Sequence, residues 1–189
     1  MQLYAYDFSE HLPMDVDERG CFVGGTPVTT CWSEPWRHAY IIRLQGAAES
    51  RIAGFAILDE RSRLTGDPDV ADVAEFFVLR RYRRQGVGLA AAAAAFALFP
   101  RWWEVRQTAS NAAATAFWRR AIDQFTGGDY VETLVDDVRW RGPVQRFDSR
   151  VKPIRECLPA GIILLEDADH AGAGDERSHD TWISRRSRK

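Results

Sequence analysis

The chain has 189 residues, 46% of them hydrophobic and 28% charged, with 25 Lys plus Arg against 27 Asp plus Glu. That length suits one domain of roughly 150 residues with an appendage. The apolar fraction fills a core and excludes wholesale disorder, and the near-balanced charge argues against a globally basic nucleic-acid binder.

Residues 1–20 carry Asp7, Glu10, Asp15, Asp17 and Glu18 against Arg19 alone, a local net of −4. Residues 39–44 are apolar and β-branched, residues 46–50 are turn-like, and residues 52–58 form a second apolar run. Two such runs around a short polar loop read as a hairpin. After the breakers of residues 65–69 comes a third strand over 73–79. From Gly86 to Phe99 the pattern becomes helical: six alanines run from Ala90 to Ala95, and Pro100 stops the helix. The small side chains also let this helix lie close to a sheet.

Residues 102–107 read as a strand, and Ser110 and Asn111 offer an N-cap for a second helix through Ile122. Gly127 and Gly128 break the chain. Residues 130–135 and 144–147 are late strands, with Val138, Arg139 and Trp140 as a candidate start for the last. A hairpin followed by strand–helix–strand–helix–strand is a mixed α/β sheet with one crossover. We therefore expect a domain over residues 1–148 and an extension over 149–189. Residues 162–165 offer a short extra strand there. The extension is expected to be largely disordered after 165, where Asp, Gly, Ser and Arg leave little to bury.

No apolar run approaches the roughly 20 residues that cross a bilayer. The N-terminus shows neither a basic n-region nor an apolar h-region. Cys21, Cys31 and Cys157 are an odd, sparse set without CxxC spacing, which argues against a disulfide framework or a zinc site. The expectation is a cytoplasmic protein without a metal, a membrane or a nucleic acid as partner. Homodimerisation stays open.

The informative stretch is Arg83-Arg84-Gln85-Gly86-Val87-Gly88, which follows a strand and opens a helix. Glycines there let a ligand approach the backbone, and the helix N-terminus offers unpaired N–H groups and a positive dipole end. Together they suit a phosphate or pyrophosphate. Taken alone, the glycines are better explained by a tight turn between strand and helix. A P-loop would need Gly-Lys-Ser or Gly-Lys-Thr, but Leu89 and Ala90 follow Gly88. A dinucleotide fingerprint needs an acid at the end of the next strand, which here ends Arg106-Gln107. The basic run over residues 80–84 offers a nucleic-acid alternative, though its flanks do not extend the basic face.

Arg83-x-x-Gly86-x-Gly88 after an apolar strand resembles the Arg/Gln-x-x-Gly-x-Gly/Ala motif of the GNAT acyltransferases. Asn111-x-x-Ala114-x-x-Phe117-Trp118 resembles their second signature, Asn-x-x-Ala-x-x-aromatic-Tyr. The element order over residues 36–147 also fits. The resemblance implies the acyl-CoA N-acyltransferase fold, a mostly antiparallel mixed sheet with helices on both faces. It also implies acetyl-CoA as cosubstrate and a primary amine as acceptor. On that pattern Arg83, Arg84, Gln85, Gly86, Val87 and Gly88 hold the pyrophosphate. Backbone around Phe77 and Val78 pairs with the pantetheine arm, and Asn111 and Trp118 contact the cofactor from the second helix. The resemblance also allows a protein that binds acyl-CoA without turning it over.

Glu75, on the strand entering the cradle, is the candidate general base, because an amine is protonated at neutral pH. Strand alternation sets Glu75 and Phe77 on one face and Phe76 and Val78 on the other. The reading that competes is an ion pair with one of the arginines. The family commonly places Tyr where Trp118 stands, to protonate the departing thiolate, and an indole N–H cannot do so near neutral pH. Water or Tyr130 is the substitute the sequence offers. The acidic N-terminal segment, with Trp32, Trp36 and Tyr40 as an aromatic wall, points to a small cationic acceptor. A solvated acidic helix face explains the same charges.

Overall fold

The computed structural model describes residues 1–23, 30–45 and 49–150, and the backbone of 163–167. In chain order the elements are α1 (Gln2–Phe8), α2 (Thr30–Ser33), β1 (Arg37–Gln45), β2 (Ser50–Asp59) and β3 (Val70–Val78). A 3-10 turn at Arg80–Tyr82 leads to α3 (Val87–Leu98), β4 (Trp102–Arg106) and α4 (Ala112–Thr126). β5 (Val131–Asp136), β6 (Arg141–Asp148) and β7 (Ile163–Asp167) follow. The seven strands form one sheet in the order β5-β6-β4-β3-β2-β1-β7. Every pairing is antiparallel except β3 with β4. This is the mixed, mostly antiparallel sheet that the sequence reading expects.

β7 comes from the segment set apart as an extension, and it pairs with β1 from Tyr40↔Asp167 to Leu44↔Ile163. The tail beyond residue 167 lies outside the described residues. Val138, Arg139 and Trp140 do not begin β6, as the sequence suggested. They sit in the turn before it, where Asp137 Oδ1 accepts from the Arg139 and Trp140 amides at 2.8 and 3.3 Å. A carboxylate that captures the next amides ends a strand more readily than it extends one.

α3 and α4 pack on the same face of the sheet. The alanines bring α3 close, and Ala91, Ala92 and Ala95 are buried against β2, β3 and β4. α4 buries Trp118, Ala121, Ile122 and Phe125, the i, i+3, i+4, i+7 stripe of a helix on a core. The two helices meet around Phe96, whose ring lies 5.1 Å from Phe125 and 4.8 Å from Phe147. Asn111 Oδ1 caps α4 by accepting from the Ala114 amide at 2.9 Å, and Gly127 ends it in the left-handed region.

Two irregularities shape the middle of the sheet. Ile57 pairs with Glu75 while Leu58 pairs with Val73, so Ala74 is a one-residue bulge. Without it, Val73 and Glu75 would share a face. With it, Val73 enters the core under α3 and α4 while Glu75 turns to the face of α1. The second is a parting of strands: β3 pairs with β4 only from Val70↔Trp102 to Asp72↔Glu104. Beyond Asp72 the edge of β3 that faces β4 has no strand partner among the described residues, and a cleft opens there.

Candidate active site

The cleft holds about 1760 Å³ and runs from α1, through the gap between β3 and β4, to the heads of α3 and α4. Glu75, Phe77, Val78, Arg83, Arg84, Gly86, Gly88, Asn111 and Trp118 all line it. Gln85 and Val87 do not. The Gln85 side chain folds back to donate to the Arg81 carbonyl at 2.7 Å, and Val87 is buried beneath α3.

The turn before α3 leaves a row of backbone amides free of acceptors among the described residues. Arg84 and Gly86 have φ of 60° and 81°, in the left-handed region. Backbone bonds close the turn from Arg83 to Arg80 at 3.2 Å and from Ala90 to Gly86 at 3.0 Å. Between them, the amides of Arg84, Gln85, Gly86, Val87 and Gly88 have no acceptor among the described residues. Five adjacent donors at the positive end of a 12-residue helix favour negative charge. A Cβ at Gly86 would meet nothing within 4 Å, so the space over the turn is open. At Gly88 it would come within 3.0 Å of the Phe117 ring, which would have to give by a few tenths of an ångström.

Charges near the turn are partly matched. Arg83 Nε donates to the Val78 carbonyl at 2.7 Å, and its Nη2 bonds the Asp7 carboxylate, which also receives Arg80 at 2.7 Å. Arg80 and Arg83 of the arginine run are thus engaged, while Arg81 and Arg84 make no ion pair among the described residues. Asp7 and Asp17 of the acidic segment are engaged, Asp17 by Arg19 at 2.8 Å. Glu10 lines the cleft without an ion pair among the described residues.

On the α1 face, Tyr4 donates its hydroxyl proton to Glu75 Oε2. Its ring meets Phe8 at 5.3 Å, Phe55 at 5.6 Å and Phe77 at 5.8 Å. Burial foremost, with the Glu75 charge beside it, holds the phenol well above the ordinary tyrosine value. Tyr4 and Asp7 are three residues apart and so share a face of α1, one on Glu75 and the other on Arg80 and Arg83. Sequence reasoning missed Tyr4, and no spacing or motif signals it. It also missed Arg106 and Trp140, which line the cleft stacked at 4.5 Å. Arg106 is held from behind by Asp72, fully buried, through two bonds of 3.0 Å.

The expected aromatic wall is not there. Tyr40 is buried in the core under α3 and α4, and Trp36 carries the Arg61 guanidinium 3.5 Å over its ring. Neither lines the cleft, because β1 lies two strands from the gap; the Trp32 side chain is outside the described residues. Tyr130 packs against the core ahead of β5 and does not line the cleft either. Trp118 is largely buried, its ring 5.0 Å from both Phe76 and Phe117, with one edge on the cleft. Among the described residues no helix is long and apolar enough to cross a membrane.

The acetyltransferase (GNAT) family model matches residues 6–122, more than half of the chain. No curated protein matches the sequence. Among solved structures, a Desulfovibrio desulfuricans protein assigned to the GNAT family shares 14% identity at a TM-score of 0.47, over 65% of this chain and 76% of its own. A Bacillus subtilis acetyltransferase in complex with CoA shares 13% at 0.41, over 64% and 83%. The ribosomal-protein-S18-alanine N-acetyltransferase of Escherichia coli shares 17% at 0.43, over 80% and 89%. At these values the likenesses add no argument to the family match. On that match, which takes in the parted strands, the glycine turn and the capped head of α4, the chain belongs to the GNAT acetyltransferase family.

Proposed function

We propose that this protein transfers an acetyl group from acetyl-CoA to a primary amine, with Glu75 as general base. The observation that carries the reading is the row of five amides without acceptors, from Arg84 to Gly88, at the head of α3. That row, with the Arg83 and Arg84 side chains beside it, fits a pyrophosphate. The unpaired edge of β3 beyond Asp72 fits an extended amide-bearing arm at Phe77 and Val78. Asn111 uses Oδ1 on its own helix, so its Nδ2 is the group that meets the cofactor. The edge of Trp118 would flank it. Acetyl-CoA, when bound, supplies the activated thioester.

Glu75 lines the cleft where β3 leaves β4, turned to that side by the Ala74 bulge. A carboxylate there takes the proton that the attacking amine must lose. For the acceptor we retain a small cationic amine. Glu10 and Glu75 support it, whereas Asp7, Asp17 and the aromatic residues of β1 no longer do. The compartment that fits is the cytoplasm.

Calorimetry with acetyl-CoA tests the cradle. Gly86→Glu should weaken binding by about tenfold or more, because its carboxylate enters the phosphate space. Gly86→Ala, which carries the same positive-φ strain without the charge, should weaken it much less. Undiminished binding by Gly86→Glu would overturn the assignment. Thiol release across cationic and anionic amines at two salt concentrations tests the acceptor: faster anionic amines would overturn the cationic reading. No release with any amine would favour a protein that binds acyl-CoA without turnover.

A further inference from the structure

Transfer to an amine leaves a thiolate that needs a proton, and the position where the family resemblance expects a tyrosine for this holds Trp118. Of the chain's five tyrosines, Tyr4 alone lines the cleft. It reaches there from α1, on the opposite face of the sheet from α4, and its hydroxyl is already bonded to Glu75. We propose that Tyr4 is the proton donor to the departing thiolate and that Glu75 recharges it, so that one relay serves both ends of the reaction.

The relay rests on the reading of Glu75 as base, and its atoms balance. The ammonium first loses one proton to solvent; the neutral amine nitrogen then bonds to the acetyl carbon, and the second proton it sheds passes to the Glu75 carboxylate. The carbon–sulfur bond breaks with its electron pair leaving on sulfur. The Tyr4 O–H proton goes to sulfur, and the Glu75 proton goes to the Tyr4 oxygen. The products are the amide and a neutral thiol, and both side chains return to their starting states.

Energetics favour coupling over a lone phenol. A tyrosinate left in an aromatic pocket beside a carboxylate is unfavourable, as the raised phenol pKa records. Once Glu75 holds the amine proton, its charge no longer opposes tyrosinate. The net movement is then from a carboxylic acid to a thiolate, the stronger base of the two. The ring is held by Phe8, Phe55 and Phe77. The next charges along α1 are Asp7 with Arg80 and Arg83, one turn away and paired among themselves.

Tyr4→Phe removes one oxygen and keeps the ring contacts. With acetyl-CoA its kcat should fall about 100-fold, with little change in the KM for acetyl-CoA. With para-nitrophenyl acetate, whose phenolate leaves without a proton, the loss in Tyr4→Phe should be far smaller than with acetyl-CoA. Glu75→Gln should slow both donors. An ultraviolet titration of the ligand-free protein gives a readout apart from turnover. One phenol, absent in Tyr4→Phe, should resist ionisation around pH 10 and move downward in Glu75→Gln. Full acetyl-CoA turnover by Tyr4→Phe, or equal loss with both donors, would overturn the relay while leaving Glu75 as base. If Glu75→Gln is fully active, the base assignment fails and the relay with it.

Discussion

Asp7 in α1 and Arg83 in the turn before α3 stand 76 positions apart in the chain and share a charge-assisted hydrogen bond. The same carboxylate receives Arg80 at 2.7 Å. An internal anion thus sits on two guanidiniums that flank the glycine turn before α3. Burial works to raise the Asp7 pKa, but the bonds from Arg83 and Arg80 outweigh it and hold the carboxyl below its ordinary value.

An anionic ligand at the cradle competes with Asp7 for those guanidiniums. Asp7→Asn should therefore tighten acetyl-CoA binding by about threefold, the modest size expected of a partly exposed ion pair. Calorimetry reads this directly. Weaker binding would mean that Asp7 supports the cradle instead of competing with it.

Gly54 lies where β2 passes β3. A Cβ there would sit 1.9 Å from the Phe77 carbonyl oxygen, which is backbone and cannot step aside. Gly54→Ala should cost about 3 kcal/mol of stability, at the upper end for overpacking, read as a fall in the denaturant midpoint. It should also weaken acetyl-CoA binding, because the displaced strand carries Phe77 and Val78. A stable variant with normal binding would contradict this packing.

Phe96 joins α3 to α4 and the sheet, 1% exposed among Trp103, Phe125 and Phe147. Phe96→Ala should cost about 3–5 kcal/mol, since rigid rings around the cavity cannot close it. Chemical denaturation measures the loss. A cost below about 1 kcal/mol would show that the alanine-rich helix settles into the gap.

Asp137 makes a pH-dependent turn beside the cleft. The Arg139 side chain first, then the Arg139 amide, depress its pKa from 3.8 to about 2. A depressed carboxylate stabilises the fold fully above its unfolded value and progressively less as pH falls through the folded one. The amide resonances of Arg139 and Trp140 should therefore shift as the pH drops from 3.8 toward about 2. Asp137→Asn should remove that transition. Its persistence in the variant would assign the titration to another group.

The cradle was legible in the sequence because its signals are local. Gly86 and Gly88 follow a strand, the alanines name the helix, and Asn111 caps the next one. Each depends on residues within a few positions of one another. The faces of Glu75, Phe76, Phe77 and Val78 followed from alternation, which holds over that stretch because the bulge lies just before it, at Ala74. The same alternation carried upstream would have put Val73 beside Glu75. The aromatic wall failed for a related reason: Tyr40 sits among residues of the right type, but the place of β1 in the strand order, next to β7 and away from the gap, sends its ring to the core.

What the sequence by itself determined is the succession of strands and helices, the glycine turn with its amides at a helix head, and the departure from the family pattern at Trp118. Those are matters of backbone propensity and short-range hydrogen bonding. Tertiary structure alone decided where β3 parts from β4, that Tyr4 meets Glu75, and that Asp7 covers Arg80 and Arg83. The reason is physical. The Tyr4 and Asp7 contacts join groups more than 70 positions apart, and they form only when α1 lies across the face of a sheet whose strands have already paired.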